Sequence, residues 1–412
     1  MSSADFYVEL DAFVDAHFDE QVRFLQSLVQ VPTDTPPGNN TPHALRTCEL
    51  LAEFGFEADA YEVPDAVVKA SGLQSITNLV VRRRYQAPGK IIALNAHGDV
   101  VPPGAGWSHD PYGGEIVDGK LYGRAAAVSK SDFSTFAFAT RAIEATGAPL
   151  SGGIDLLFTY DEEFGGELGP KWLLENGLTK PDLEIAAGFS YEVITAHNGC
   201  LQLEVTVTGK MGHAAVPETG VDALQAATRV LVALYEENSR LRHYKSAVKG
   251  INFGYINVGQ IAGGTNTNVV PGQVILKIDR RMIPEENPAE VEAHIRDLMT
   301  RAATTLPGVK VEIKRLLLAN SMKPLPGFEQ LADPLCKHAT ALFGEKVVAS
   351  GTPLYTDARL FSELGIPAVI YGAGPRTVSE SNAKGADEHL VLEDLRRATK
   401  VVARTLLDIL KA

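Results

Sequence analysis

Four side chains that could do chemistry follow two apolar runs of the sequence. His97 and Asp99 come at the end of the run KIIALNA, and Glu162 and Glu163 follow the run IDLLFTY. A histidine with an acid two residues on can bind a metal ion, because the carboxylate orients the imidazole ring. Two adjacent carboxylates repel each other, which raises the pKa of one for general-base work while the other holds a cation. The alternatives are a structural His-Asp pair and a solvated acidic turn.

A further stretch, YGRAAAVSKSDF, contains Ser129, Lys130 and Ser131. A serine beside a lysine can act as a nucleophile with its base. The same serines also suit the start of a helix, where their side chains cap free backbone N–H groups. Both roles, nucleophile and cap, therefore stay open, and Arg124 is expected to support the loop.

The apolar runs in front of these residues predict the strands that position them. Continuous apolar runs are typical of strands covered on both faces of a sheet. Ligands of open α/β sheets bind at the carboxyl ends of the strands, so the His97 and Glu162 segments are expected at that edge. Helical spacing of apolar residues predicts helices from Phe6 to Val31, from His43 to Phe54 and from Leu390 to Leu410.

The pattern changes near residue 197. Strands with period-two alternation and helical segments follow in the order β-α-β-β-α-β as far as Leu318. This order predicts a ferredoxin-like domain inserted into a larger α/β domain. We expect a discontinuous domain of residues 1–196 and 319–412, with residues 197–318 inserted.

Composition and charge exclude several classes of protein. The 412 residues are 45% hydrophobic and 22% charged, which is ordinary for a globular protein. No apolar run approaches the ~20 residues that span a bilayer, and the first residues do not resemble a signal peptide. We therefore expect a cytoplasmic protein that binds no membrane. The net charge of -13 would repel a phosphate backbone, so nucleic acid is not an expected partner.

Several motifs occur in one order along the chain: NAHGDVVPP, LYGRAA, YDEEFGG, TGKMGHAAVP, GGTNTNVVP, DRRMIP and TDARLF. In order and spacing they resemble the aminoacylase, acetylornithine deacetylase, succinyl-diaminopimelate desuccinylase and carboxypeptidase G family of metallohydrolases. The resemblance implies a zinc-peptidase-like catalytic domain and an inserted lid domain that mediates dimerisation, so a homodimer is expected. It also implies hydrolysis of an amide next to a carboxylate by two zinc ions that share a water.

Part of the family's site is present. By resemblance, His97 is a ligand of the first metal and Asp99 its orienting partner, while Glu162 is the general base and Glu163 a ligand of the second metal. In the second domain, three residues match the family's substrate-binding positions: His213 as an oxyanion donor, and Asn268 and Arg281 as partners of a substrate carboxylate. Gly372 lies in a glycine-rich loop that is expected to be flexible and to contact the substrate.

The rest of the family's metal site departs from the pattern. The bridging aspartate falls on Val128, and the final histidine falls on Lys384. The third acid falls within AAGFSY, residues 186–191, which contains no acid, and Glu184 and Glu192 only flank that stretch. A catalytic zinc ordinarily takes three protein ligands and a water, so zinc hydrolysis would be severely impaired. We expect no cofactor, with a residual zinc or other divalent cation at His97 and Glu163 as the alternative.

The substitutions suggest that the charges compensate each other. Two carboxylates are absent, and an ammonium group, Lys384, is expected opposite Glu163. A buried charge needs a partner, so the lysine could stand in the place of the second metal and act as a catalytic charge. The alternative is a solvated lysine on a loop.

Three functions follow from these features. The first is hydrolysis of the amide bond of a small N-acyl amino acid or dipeptide-like molecule at a degenerate metal site. The second is a metal-independent reaction on the same scaffold, with Glu162 and Lys384, that hydrolyses, cyclises or eliminates. The third is binding of a carboxylate without catalysis.

Overall fold

The computed structural model describes residues 3–412, which form two compact units. The first unit contains the chain up to Thr195, Pro324–Ser350 and Thr356–Ala412. The second contains Ala196–Lys323 and Gly351–Tyr355. Over residues 3–412, no helix combines the length and the apolar character needed to cross a membrane.

The helices lie in both units. In chain order they are α1 Ser3–Ala16, α2 Phe18–Val29, α3 Thr41–Ala52, α4 Asp65–Ala70, α5 Lys130–Ala145, α6 Pro170–Glu175, α7 Ala223–Leu241, α8 Pro288–Thr304, α9 Glu329–Phe343, α10 Ala358–Glu363 and α11 Leu392–Leu410. Short 3-10 turns cover Glu162–Phe164 and Pro217–Thr219.

The strands alternate with these helices. In chain order they are β1 Ala58–Glu62, β2 Thr77–Arg84, β3 Ala87–His97, β4 Glu115–Val117, β5 Lys120–Tyr122, β6 Ser151–Thr159, β7 Leu183–Ala186, β8 Val193–His197, β9 Gly199–Thr208, β10 Gly212–His213, β11 Tyr255–Gly263, β12 Val269–Val270, β13 Gln273–Met282, β14 Lys310–Ala319, β15 Ala349–Thr352, β16 Ala368–Ile370 and β17 His389–Val391.

The large sheet has the strand order β1-β2-β6-β3-β7-β16-β8-β15. Its central strands β6, β3, β7 and β16 run parallel to one another, so their carboxyl ends meet at one edge. Buried aliphatic and aromatic residues of these strands pack against α5 and α11, and α1 and α2 pack against α5 in the same large core. This packing fixes the sheet edge at which His97 and Glu162 were expected.

The predicted helix from Phe6 to Val31 is wrong in one respect, because the structure contains two helices there. The chain leaves helical geometry at His17, whose backbone has φ -107° and ψ 13°. The ring nitrogen Nδ1 of His17 hydrogen-bonds to the carbonyl oxygen of Phe13 at 2.9 Å. Apolar spacing continues across the break because both helices face the same core, so periodicity alone could not reveal it.

The second unit contains an antiparallel sheet of order β11-β13-β9-β14. Helices α7 and α8 pack on it, and alternate residues of β9 and β13 fill the core between them. The main elements occur in the order β9-α7-β11-β13-α8-β14. The predicted α/β fold class with an inserted βαββαβ domain is therefore confirmed.

Candidate active site

The carboxyl edge of the large sheet brings His97 beside the acidic turn. His97 ends β3, and its register partner in the parallel strand β6 is Thr159. Glu162 and Glu163 follow β6 in a 3-10 turn. The Nε2 atom of His97 lies 3.8 Å from Oε2 of Glu162.

Asp99 organises both groups. Its fully buried carboxylate accepts the backbone N–H of Glu162 at 3.2 Å and that of Glu163 at 3.0 Å. The Nδ1 atom of His97 lies 3.0 Å from the backbone carbonyl oxygen of Asp99 and 3.3 Å from its Oδ1. One buried side chain therefore fixes the ring orientation and the position of the acidic turn.

Burial and the neighbouring charges shift the pKa values of His97 and Glu162. Burial alone would lower the pKa of His97, but Glu162, Asp99 and Glu163 together raise that pKa to about 10. Burial raises the pKa of Glu162, while His97 and Lys384 act in the opposite direction. The neighbouring acids therefore favour the charged form of the imidazole, next to a glutamate whose burial favours its protonated form.

Lys384 reaches the same turn. Its Nζ atom lies 2.6 Å from Oε2 of Glu163, with the lysine side chain 62% exposed and the glutamate side chain 10% exposed. Burial would lower the pKa of Lys384, but Glu163 and Glu162 raise it. The ammonium therefore stays charged at the rim of the site and compensates an acid that is mostly buried.

A buried ion pair positions the loop that carries Lys384. Arg124 Nη1 lies 2.5 Å from Oε2 of Glu388, and both side chains are almost completely buried. Glu388 also accepts the backbone N–H of Lys384 at 3.2 Å. Arg124 donates a second hydrogen bond to the carbonyl oxygen of Pro103 and packs over Trp107, 5.1 Å from the ring centroid. The expected support role of Arg124 thus has a definite partner.

Ser129 and Lys130 do not form a nucleophile and base. The hydroxyl of Ser129 accepts the backbone N–H of His97 at 3.0 Å. Lys130 is fully buried and donates from Nζ to the carbonyl oxygen of Val31 at 2.9 Å. The two side chains therefore serve the packing between α5 and the neighbouring loops.

The acids that flank residues 186–191 do not supply the missing carboxylate. Glu184 lies inside β7, in register with Ala93 and Ala368, and its carboxylate has no hydrogen-bond partner among the described residues. Glu192 accepts a hydrogen bond from Ser350 at 3.1 Å. Phe189, within the stretch 186–191, lies half-buried beyond the end of β7.

The donor set does not fit a two-metal centre. In the part of the chain that the structure describes, no group of three or more His, Cys, Asp or Glu side chains is arranged to hold a metal ion. His97 faces Glu162, and Glu163 is paired with Lys384. A catalytic zinc needs three protein ligands, and this arrangement of side chains supplies fewer.

Two buried acids were missed by the sequence analysis. Asp161 is fully buried and accepts the backbone N–H of Leu168 at 2.5 Å. Asp357, just before α10, is also buried, and the absence of a side chain at Gly166 makes room for its carboxylate. Burial and neighbouring carboxylates raise the pKa of both acids. Two features of the sequence could have pointed to these acids: the motif TDARLF contains Asp357, and Asp161 directly precedes the glutamate pair.

Gly372 was expected in a flexible loop, but it is buried. A side chain at this position would collide with the carboxylate of Asp132 on α5. Asp132 in turn accepts the backbone N–H groups of Ala373 at 2.7 Å and Gly188 at 3.2 Å. The glycine therefore allows a close approach of backbone to side chain, and its contact with a substrate stays a prediction.

The second unit holds the remaining predicted residues. His213 accepts the backbone N–H of Ala215 on Nδ1 at 3.0 Å, so in the neutral ring Nε2 carries the hydrogen and is a donor. Asn268 precedes β12, and its backbone carbonyl oxygen accepts the backbone N–H of Ala214.

Arg281 also lies in the second unit, on β13. Its Nε atom binds Oδ1 of Asp279 at 2.7 Å, and its guanidinium lies 5.6 Å from the ring centroid of Tyr355. The carboxylate of Asp279 and the ring hold the guanidinium in place, and its remaining N–H groups can bind a carboxylate.

Comparisons with known proteins agree with this architecture. The model of a family described as peptidase family M20/M25/M40 matches residues 93–408. A succinyl-diaminopimelate desuccinylase of Methylorubrum populi is 27% identical over 396 residues, covering 92% of this chain and 96% of its own. An acetylornithine deacetylase of Myxococcus xanthus is 27% identical over 365 residues, covering 86% and 89%. The fold is similar to that of an M20 family metallo-carboxypeptidase from Sulfolobus solfataricus, with a TM-score of 0.77 at 18% identity over 94% and 98% of the two chains.

Proposed function

The chain belongs to peptidase family M20/M25/M40, and we propose that it hydrolyses the amide bond of a small N-acyl amino acid or dipeptide-like molecule with Glu162 and Lys384 in place of a two-metal centre. Members of this family are hydrolases that act on C–N bonds, and the match covers residues 93–408. Relatives named succinyl-diaminopimelate desuccinylase and acetylornithine deacetylase support an N-acyl compound as the substrate.

One observation carries the proposal: the contact of 2.6 Å between Nζ of Lys384 and Oε2 of Glu163, next to Glu162. It provides a fixed positive charge at the end of the turn that carries the candidate base. A preorganised positive charge close to an attacked carbonyl stabilises the oxyanion that develops on it. The ammonium group can supply part of the electrostatic stabilisation that a cation gives in a metallohydrolase.

Glu162 is the proposed general base. Its side chain is only 13% exposed, and it lies between His97 and the Lys384–Glu163 pair. A water molecule that hydrogen-bonds to the carboxylate would lose its proton to Glu162 as it attacks the carbonyl carbon. Glu162 would then give the proton to the leaving nitrogen as the C–N bond breaks. General acid-base catalysis of this kind contributes ~10²–10⁴-fold to a rate.

Residues of the second unit are proposed to bind the substrate. His213 has a donor at Nε2 because Nδ1 accepts a backbone N–H, which suits contact with a carbonyl oxygen. Arg281, held by Asp279, suits a substrate carboxylate, and Asn268 and Gly372 are further proposed contacts. The proposed partner is therefore a small molecule that carries a carboxylate.

A homodimer is also proposed. Leu224, Val232 and Tyr235 on α7 are 46%, 52% and 54% exposed, and Ile261 on the edge strand β11 is 50% exposed. An exposed apolar helix and an unpaired strand edge are typical of an association surface. Sedimentation of the wild-type protein and of Val232→Asp should give a dimer and a monomer; a monomeric wild type would contradict the proposal. A cytoplasmic location stays a prediction from composition.

The test of catalysis compares the wild type, two variants of the site and one control variant in a metal-free buffer with a chelator. Release of amino acid from N-acetyl and N-succinyl amino acids is measured for the wild type, Glu162→Gln and Lys384→Met. We expect both variants to lose at least about a hundredfold in kcat. Glu49→Gln removes an exposed carboxylate on α3 and should leave the rate unchanged. Circular dichroism confirms that each variant is folded.

Other outcomes identify the alternatives. Activity that appears only with an added divalent metal would contradict the metal-independent site. A product with unchanged mass, or with the mass of the substrate less water, would indicate rearrangement, cyclisation or elimination in place of hydrolysis. Tight binding of the ligands to wild type and Glu162→Gln alike, with no product from either, would indicate a carboxylate-binding protein.

A further inference from the structure

Two apolar residues lie next to Gly374 at the carboxyl edge of the large sheet. Phe189 forms a parallel backbone bridge with Gly374. A Cβ atom on Gly374 would lie 3.1 Å from Cγ2 of Val128. Ser129, the neighbour of Val128, accepts the backbone N–H of His97 at 3.0 Å. Val128 and Phe189 therefore lie beside the strand end that carries His97.

These two side chains do not complete the core of the first unit. Both are half-buried. The core of the described residues takes in their neighbours Ala126 and Ala187 but neither Val128 nor Phe189. Apolar surface at a sheet edge that carries polar reactive groups is what a binding pocket for a small molecule requires.

The backbone around this apolar surface is fixed in advance. Asp132, in the first turn of α5, is fully buried. Its two carboxylate oxygens accept the N–H of Gly188 at 3.2 Å and that of Ala373 at 2.7 Å. The residues directly before Phe189 and Gly374 are thereby joined through one side chain. A preformed surface loses little entropy when a ligand binds.

The neighbouring part of the edge is strongly acidic. Its carboxylates outnumber its cations: Asp99, Asp161, Glu162, Glu163 and Asp357 lie with His97, Lys384 and Arg359. A further carboxylate brought into this group by a ligand would meet like charges, which disfavours its ionised form. An uncharged group meets no such opposition.

We propose that Val128 and Phe189, with the backbone at Gly374, form a subsite for an uncharged apolar acyl group next to the scissile carbonyl. The inference rests on the proposed function and narrows its substrate class. It favours aliphatic or aromatic acyl groups over succinyl groups, although the similar proteins include enzymes named for removal of succinyl.

The test uses acyl groups of graded length on one amino acid. N-acetyl-, N-butyryl-, N-hexanoyl- and N-succinyl-L-alanine are titrated into Glu162→Gln protein by calorimetry, so that turnover does not interfere. Burial of one methylene group is worth about 0.8 kcal/mol, which is about fourfold in affinity. We expect affinity to rise by about this factor per methylene from acetyl to hexanoyl.

The butyryl and succinyl compounds form a matched pair, because the succinyl chain is a butyryl chain whose terminal methyl is a carboxylate. We expect the succinyl compound to bind at least about tenfold more weakly. Val128→Ser and Phe189→Ser, each made in the Glu162→Gln background, should flatten the dependence on chain length. The control variants Val67→Ser and Leu364→Ser, at residues that are 43% and 57% exposed, should leave the dependence on chain length unchanged.

Each outcome separates the subsite from the proposed reaction. A graded series on Glu162→Gln protein, with no amino acid released by the wild type, would support the subsite and contradict the hydrolase. Turnover by the wild type, with a flat series or with tighter succinyl binding, would overturn the subsite alone. Absence of binding by every member of the series would also overturn it.

Discussion

The carboxyl edge of the large sheet has a charged half and an apolar half. In the charged half, His97 lies 3.8 Å from Glu162, and Lys384 lies 2.6 Å from the adjacent Glu163. In the apolar half, Val128 falls on the family's bridging aspartate, and Phe189 lies within the stretch 186–191 where the resemblance places the third acid. The first half contains the proposed general base, while the second presents apolar side chains and no acid.

The charged half is held together by contacts within the chain. Asp99 holds Glu162 and Glu163 through their backbone N–H groups, so the acidic turn keeps its position without a cation. Glu163 keeps a cationic partner in Lys384. Each glutamate of the turn therefore has a basic side chain within 3.8 Å.

The largest expected effect is on zinc affinity, when acids are placed in the apolar half and a histidine replaces Lys384. The triple variant Val128→Asp, Phe189→Glu and Lys384→His adds three donors to His97 and Glu163. We expect it to bind zinc at least about a thousandfold more tightly than the wild type, a difference of ~4 kcal/mol. Calorimetry with zinc alone measures this, and Lys384→His by itself is the control. Equal affinities in the triple variant and the wild type would show that the two halves do not form one site.

The second prediction concerns the ion pair that holds the loop of the charged half. Arg124→Met leaves the buried carboxylate of Glu388 without its partner, so we expect a loss of about 3 kcal/mol in the free energy of unfolding. Lys69→Met breaks the exposed pair with Asp65, in which the side chains are 67% and 81% exposed, and should cost under about 1 kcal/mol. Urea denaturation measures both.

Glu388→Gln is a second variant in case Arg124→Met does not fold. It keeps the shape of the side chain and removes only its charge. We expect its loss of stability to lie between those of the other two variants. Similar losses for the buried and the exposed pair would mean that the loop of Lys384 is held by other contacts.

A third prediction concerns the carboxylate that supports the apolar half. Burial raises the pKa of Asp132 from 3.8 to about 7, although its hydrogen bonds to Ala373, Thr135 and Gly188 and the charge of His97 act against this. From about pH 4 to about pH 7 the unfolded chain has lost this proton and the folded chain retains it. The Asp132 carboxyl therefore makes the protein less stable as the pH rises through this window, by up to ~1.4 kcal/mol per pH unit.

The variant Asp132→Asn removes this titration. Relative to the wild type, the variant should become more stable as the pH rises from 4 to 7. Above pH 8 the difference between their free energies of unfolding should stay constant. Urea denaturation at a series of pH values measures it. Asp65→Asn on the exposed surface of α4 is the control. A difference that does not vary with pH would show that Asp132 is ionised in the folded protein throughout.

Much of the fold could be predicted from the sequence. Apolar runs predicted β3 and β6, and their ends fall beside the residues that were singled out, His97 and Glu162. The family resemblance read from the motifs is confirmed by the match over residues 93–408. Periodicity failed at His17, because the two helices beside it bury one continuous apolar stripe. The roles of the individual site residues stay predictions.

The sequence by itself determined the elements, the family and the absence of acids in AAGFSY and at Val128. These depend on residue type and spacing, which are local properties of the chain. The family resemblance predicted Lys384 opposite Glu163, 221 positions away, and the structure gives their contact at 2.6 Å. Only the tertiary structure decided that Glu184 is buried inside a strand without a hydrogen-bond partner among the described residues. It also showed that Gly372 makes room for Asp132, 240 positions earlier in the chain. Such pairings depend on the order of parallel strands in the sheet, which brings distant loops to one edge and which local spacing does not encode.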